Sequence, residues 1–339
     1  GALGTLPADG YRWNYRFDGW FTAKDGGSAV TARYTYGNSK WKDLLTAYNG
    51  QAITYDAIGN PLTYRDGMTL SWERGRQLSS LQTGGKLVNY EYDSDRQRTK
   101  KVVAGAETKF YWDDRGVMTQ QDMPDGKSLW FYSNPDGSIG SLNYEYVRYT
   151  LVKDLQGNVI GLADKNGNLA AKYTYDAWGN ILSVTDGQGN DVSGNPGHIA
   201  NVNPLRYRGY YFDQETGFYY LHTRYYDPKV GRFINADGYV TTDSGLSGAN
   251  MFAYCKNNPV MMTDPDGNKP FYKILEEQAN TANAIIEAAK PKPRSATARF
   301  VSDIMQDFKN YDINNESEEK VLQSKYFSAY KGVPVVRIN

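Results

Sequence analysis

The 339-residue sequence predicts a mainly β protein, with antiparallel hairpins set side by side into a long, curling sheet and a small helical segment behind it. Three observations predict this. A Tyr-Asp turn motif recurs along the chain, tyrosine reaches 29 residues, and the hydrophobic period changes from 2 to 3.6 after Asn268.

The repeat is clearest in two stretches. Residues 54–62 read TYDAIGNPL and residues 174–182 read TYDAWGNIL. Looser copies are Tyr92-Asp93, Trp112-Asp113 with Gly116, and Asp154 with Gly157-Asn158. The tyrosine ends a strand, the aspartate accepts from turn N–H groups, and the glycine takes the positive-φ position. A hairpin cannot bury its own face, so each unit needs neighbours. Irregular spacing between units disfavours the evenly bladed propeller. The aromatic stripe Tyr90, Tyr92, Phe110, Tyr111, Trp112, Trp130, Phe131 and Tyr132 reads as sheet packing rather than a sugar platform.

Residues 1–203 form the repeat region, 204–268 a denser aromatic region, and 269–339 a different domain. Between the first two, 185–203 (TDGQGNDVSGNPGHIANVN) reads as an exposed loop with His198 an ordinary loop residue. Within 204–268 lie two acidic turns, Asp237-Gly238 and Asp264-Pro265-Asp266-Gly267. Behind them, Ile274, Leu275, Ala279, Ala282, Ile285, Ile286 and Ala289 fall on one helical face, ended by Pro291 and Pro293. A second helix past Ser295, a third over about 317–330 and a closing strand at 333–338 complete a domain that reads as truncated, just as the N-terminus reads as a cut through a longer protein.

Composition excludes several classes. Lys+Arg and Asp+Glu are 38 each, without the basic surplus that phosphate binding needs, so no nucleic-acid partner is expected. No apolar run is long enough for a membrane span, and GALGTLPADG is no signal peptide. The one cysteine, Cys255, reads as a small buried strand residue, and the two histidines, His198 and His222, have no partner at ligand spacing. No metal or cofactor is expected. Nucleotide-binding, hydrolase and zinc-protease motifs are absent.

The run RYRGYYFDQETGFYYLHTRYYDPKVGRFINADG at 206–238, followed by MFAYCKNNPV and TDPDGN, resembles the RHS-repeat-associated core domain of RHS/YD-repeat proteins. The resemblance implies a spiral β-shell closed by a plug at 204–268 and, behind it, the start of an exchangeable effector; the run SKYFSAYKGVPVVRIN resembles the lead-in of clostridial-type effectors with a metallopeptidase-like fold. It implies a secreted or surface protein whose partners are its own effector, held inside the shell, and an immunity protein. It also implies an intramolecular aspartyl protease: Asp237 and Asp264 as the acid–base pair, Arg232 orienting the first, and the Asn268–Lys269 bond as the one cut. Departures from the family pattern are Gly238 where a proline follows the first aspartate, and Asn268 where leucine closes the second turn. Two other readings stay open. Asp237 and Asp264 could merely cap turns in the plug, or the chain could be a teneurin-like adhesion module without proteolysis.

Overall fold

The computed structural model describes residues 20–21, 29–30, 32–238, 250–268 and 271–272. The predicted helices after residue 272, and Lys269, lie outside the described residues.

Twelve strands, from Thr69–Glu73 to Ile181–Asp186, form one sheet in which each strand pairs antiparallel with the next in sequence. Such an unbroken meander is a wound wall and not a set of blades. Alternation gives the wall two faces. In Lys86–Tyr92 the inward residues are Val88 and Tyr90; in Ala106–Trp112 they are Thr108 and Phe110. The same alternation divides the aromatic stripe. Tyr90, Phe110 and Phe131 are buried, whereas Tyr111, Trp130 and Tyr132 stand exposed on the opposite face.

The repeat turns are built as their residues dictate. The carboxylates of Asp56, Asp154, Asp164, Asp176 and Asp186 each accept the N–H groups two and four residues on. In each of these turns the closing asparagine then donates its side-chain amide to the other oxygen of the aspartate. The tyrosine has its own task. Tyr55, Tyr92 and Tyr175 donate their hydroxyls to the carbonyls of Leu45, Leu78 and Val159, at 3.0, 3.0 and 2.7 Å. Each ring is thereby half-buried with its polar tip satisfied, and each unit is tied to an earlier one.

The plug, 204–268, centres on a four-stranded sheet: Tyr211–Asp213, Phe218–Leu221, Arg224–Asp227 and Arg232–Phe233. Every residue of the middle two strands is buried. The chain wraps round this sheet, because residues ahead of the wall and residues at its far end meet on one turn. Near the beginning of the chain, Tyr48 and Tyr34 donate to the carbonyls of Lys229 and Val230; from the end of the wall, Asn180 donates to Pro228. The wall is not closed on itself by strand pairing: Thr69–Glu73 and Ile181–Asp186 are the edges of the sheet.

Buried ion pairs fasten plug to wall. Arg98 and Lys101 reach Asp213 at 2.6 and 2.8 Å, with the Arg98 guanidinium over the rings of Tyr220, Phe110 and Tyr211. Burial alone would raise the Asp213 carboxyl; Arg98 and Lys101 outweigh it and hold the group below its ordinary value. Arg65 grips Asp227 with two nitrogens, at 2.5 and 3.1 Å.

Two expectations are corrected. The 185–203 segment is not loop throughout: Ile199–Val202 is a short helix with Ile199 and Ala200 buried, and His198 caps it by accepting the Ala200 N–H at 3.1 Å. Cys255 is buried as expected but lies in a 3-10 turn with φ 50°, not on a strand. Local hydrogen bonding overrode pattern in both places, by a side chain at His198 and by backbone turn bonds from Asn257 and Asn258 at Cys255.

Candidate functional site

The two acidic turns come together on one arginine, Arg224. It opens a strand whose residues are all buried, so its guanidinium has little water and must find anions and carbonyls. Nη2 lies 3.0 Å from Asp237 Oδ2 and 3.7 Å from Asp264 Oδ2. Nη1 donates to the Met251 carbonyl at 3.2 Å, and Nε donates to the Gly267 carbonyl. The charged plane rests 3.6 Å above the Phe233 ring. Arg224 therefore ties the first aspartate, the second aspartate and the turn behind it to one point.

Asp264 begins the loop of a hairpin, since Met262–Thr263 pairs with Phe271–Tyr272. Its Oδ1 accepts the Gly267 N–H at 3.0 Å. The Tyr210 hydroxyl brackets its backbone, donating to the Asp264 carbonyl at 2.8 Å and accepting from the Asp264 N–H at 3.3 Å. Beneath, Tyr207, Tyr210, Tyr219, Tyr226, Phe233 and Tyr254 pack as a separate core. Asp264 Oδ2 is buried without a hydrogen-bond partner among the described residues. A charge there is costly, and burial pushes the carboxyl up to about 7; Arg224 and the Gly267 N–H oppose the shift, and Asp266 and Asp237 add to it. Asp237 differs: it is partly exposed, its N–H donates to Met251, and its carboxylate faces Arg224.

The turn after Asp264 is clamped by the hairpin tip that precedes Arg224. Thr223 donates to the Asp266 carbonyl through its N–H at 3.2 Å and its hydroxyl at 2.6 Å. Gly267 has φ 79°, and a Cβ there would stand 2.9 Å from Thr223 Oγ1 and 3.0 Å from the Leu221 carbonyl, so only glycine fits. Asn268 is exposed, with its N–H and side-chain amide donating to the two oxygens of Asp266 at 3.1 and 3.0 Å. The result is two carboxyls in unlike surroundings, one buried and proton-binding, one in an ion pair, beside a turn clamped by Thr223. Such a pair is chemically suited to acid–base work on an amide.

Arg232 is not part of this cluster. It donates to the Tyr36 hydroxyl at 3.1 Å and the Asp43 carbonyl at 2.8 Å, and lies over Phe252, fastening the plug to residues 36–43. Arg224 was missed in the sequence. The signal was there: an arginine between two all-buried aromatic strands must have a buried partner. Burial pushes the Cys255 thiol well above its ordinary value, which disfavours the thiolate. His222 packs against the rings of Trp112 and Tyr220, and burial lowers its imidazole below the ordinary value. Among the described residues no group of three or more His, Cys, Asp or Glu could hold a metal, and no helix is long and apolar enough to cross a membrane.

Known proteins place this architecture. The chain is 32% identical over 273 residues to the tRNA nuclease WapA of Bacillus subtilis, covering 77% of this chain and 11% of that protein. It is 28% identical over 281 residues to the double-stranded DNA deaminase toxin A of Burkholderia cenocepacia, covering 71% of this chain and 18% of that protein. The chain thus spans about a tenth to a fifth of the length of these relatives. The solved structure of the Photorhabdus luminescens Tc holotoxin pore aligns with a TM-score of 0.48 at 20% identity, over 64% of this chain and 11% of that one. The family model described as the teneurin YD-shell matches residues 10–260, most of the wall and plug, and the chain is therefore an RHS/YD-repeat shell protein of that family.

Proposed function

We propose that this chain is the shell-closing part of a secreted or surface-displayed RHS toxin, which encloses the effector beginning after residue 268 and frees it by cutting its own backbone between Asn268 and Lys269. One observation carries the reading: Asp237 and Asp264, from two separate turns, meet on Arg224 beside the loop that contains Asn268. The likeness to a tRNA nuclease and a DNA deaminase toxin supports the toxin context, with an immunity protein as the partner of the whole molecule.

In the proposed reaction Asp237 takes a proton from water as the water oxygen bonds to the Asn268 carbonyl carbon. Asp264, protonated because it is buried, gives its proton to the carbonyl oxygen. Collapse of the tetrahedral carbon breaks the C–N bond: the Lys269 nitrogen leaves with the proton held by Asp237, and Asp264 recovers one from the new carboxyl. Substrate and catalyst share one chain, so little orientation entropy remains to be lost.

The test is intact-mass analysis of purified wild type, Asp237→Asn and Asp264→Asn over a day at pH 6 to 8. A break after Asn268 in the wild type alone is expected. A wild type that stays whole would leave the second reading, a teneurin-like recognition module without proteolysis.

A further inference from the structure

The first aspartate is set by the wall as well as by the plug that contains it: Met251 and Arg224 hold Asp237 itself, and the wall holds the residue before it. Ala236, the residue before Asp237, donates its N–H to the Gly59 carbonyl at 3.1 Å. Gly59 belongs to the Asp56–Asn60 repeat turn, and its backbone must come this close: a Cβ there would stand 2.8 Å from the Ala236 Cβ and 2.7 Å from the Trp41 ring. Arg76, in the next wall hairpin, completes the seat. Its Nη1 donates at once to the Ile58 carbonyl, 2.8 Å, and to the Ala236 carbonyl, 2.8 Å. The two wall turns are themselves joined, because Asn60 donates its side-chain amide to the Gly75 carbonyl at 2.7 Å. Asp264, by contrast, is held wholly by plug residues, Tyr210, Gly267 and Arg224. The register of the two carboxyls thus draws on the seat that residues 56–76 of the wall give residue 236 as well as on Arg224 and Met251.

We propose that Arg76 is a positioning residue for Asp237, and that seating of the Asp56–Asn60 turn and Arg76 on the Ala236 peptide makes self-cleavage conditional on a wall closed over the plug. The proposal rests on the self-cleavage reading above. Its physical basis is that an error of about 1 Å in a reacting group can cost on the order of a hundredfold in rate. Arg76 touches neither the water nor the scissile bond in this scheme; it fixes the peptide from which Asp237 projects. A chain whose wall has not yet wound into place would hold Asp264 ready and Asp237 astray, so its cargo would stay attached until the container is formed.

The test uses the full chain and follows the cut by intact mass, alongside the thermal midpoint of each variant. Arg76→Met keeps much of the side-chain length but donates nothing; a fall of about tenfold to a hundredfold in cleavage rate is expected, with the midpoint near that of wild type. Arg76→Lys is the discriminating variant. One arginine nitrogen serves both carbonyls, so one ammonium can do the same, and cleavage should recover to within a few-fold of wild type. A merely structural role would lower the midpoint and the rate together in Arg76→Met. That result, or cutting by Arg76→Met at the wild-type rate, overturns the proposal while leaving self-cleavage intact. A wild type that never cuts overturns both. Gly59→Ala gives an independent arm: its methyl pushes the wall turn off Ala236, and cleavage should slow although no charge is altered.

Discussion

The wall and the plug are made of similar residues and held together in different ways. In the wall, the aspartates of the repeat turns, such as Asp154, Asp164, Asp176 and Asp186, bond backbone two and four residues away, and each strand pairs with its sequence neighbour. One face stays wet, and loss of one turn costs only that turn. In the plug the charges are buried and find partners far away in sequence: Asp213 with Arg98 and Lys101, Asp227 with Arg65, Arg224 with Asp237 and Asp264. Local bonds distribute stability along the wall; long-range buried pairs concentrate it in the plug. The same concentration allows one arginine to assemble a site.

The largest effect should come from breaking a plug pair. Asp213→Ala leaves Arg98 buried without a counter-charge and Lys101 with Glu215 alone, and should cost about 3–5 kcal/mol, read from chemical denaturation. A loss under about 1 kcal/mol would remove the distinction drawn here. Next comes Gly267→Ala, where left-handed backbone and a clash with Leu221 and Thr223 should cost about 1–3 kcal/mol and displace the acidic turn. An unchanged midpoint would show the clamp to be loose.

The two buried aspartates also sharpen the comparison through pH, with opposite signs. Asp213 is depressed in the folded state, so its stabilisation is full above the ordinary carboxylate range and fades as pH falls through its folded value. Asp264 is raised to about 7, so the folded state holds a proton that the unfolded chain has already released, and stability drops as pH rises from about 4 to about 7. Asp264→Asn, which mimics the protonated acid, should therefore raise the melting midpoint by a few degrees at pH 8 and leave it nearly unchanged near pH 4. An equal shift at both would show that the carboxyl is not the cause. The smallest effect belongs to the wall. Asp154→Ala should cost about 1 kcal/mol, and its neighbouring turns should keep their hydrogen-exchange protection. Collapse of the whole sheet would contradict the local account.

How much was legible follows from the range of each interaction. The turns at 54–62 and 174–182 could be read because their bonds close within four residues. The helix at Ile199–Val202 was hidden: at four residues it has no periodicity to detect, and a histidine caps it in place of the usual serine or aspartate. The site was half legible. Asp237 and Asp264 could be named from their acidic turns, whereas the choice between Arg232 and Arg224 could not. Arg232 is closer to Asp237 in sequence, yet the strand geometry points it to Tyr36 and Asp43; Arg224 is farther along the chain and meets both carboxylates.

The amino-acid order alone determined that this protein is a meander of tyrosine-ended hairpins with an aromatic block behind it, because turn chemistry and alternation act within a few residues. Only the tertiary structure decided which charges meet. Arg76 reaches Ala236, and Arg224 reaches Asp264, across long separations in the chain. Such partners are chosen by how the wall bends round the plug, and burial then gives the chosen pairs their strength and Asp264 its proton.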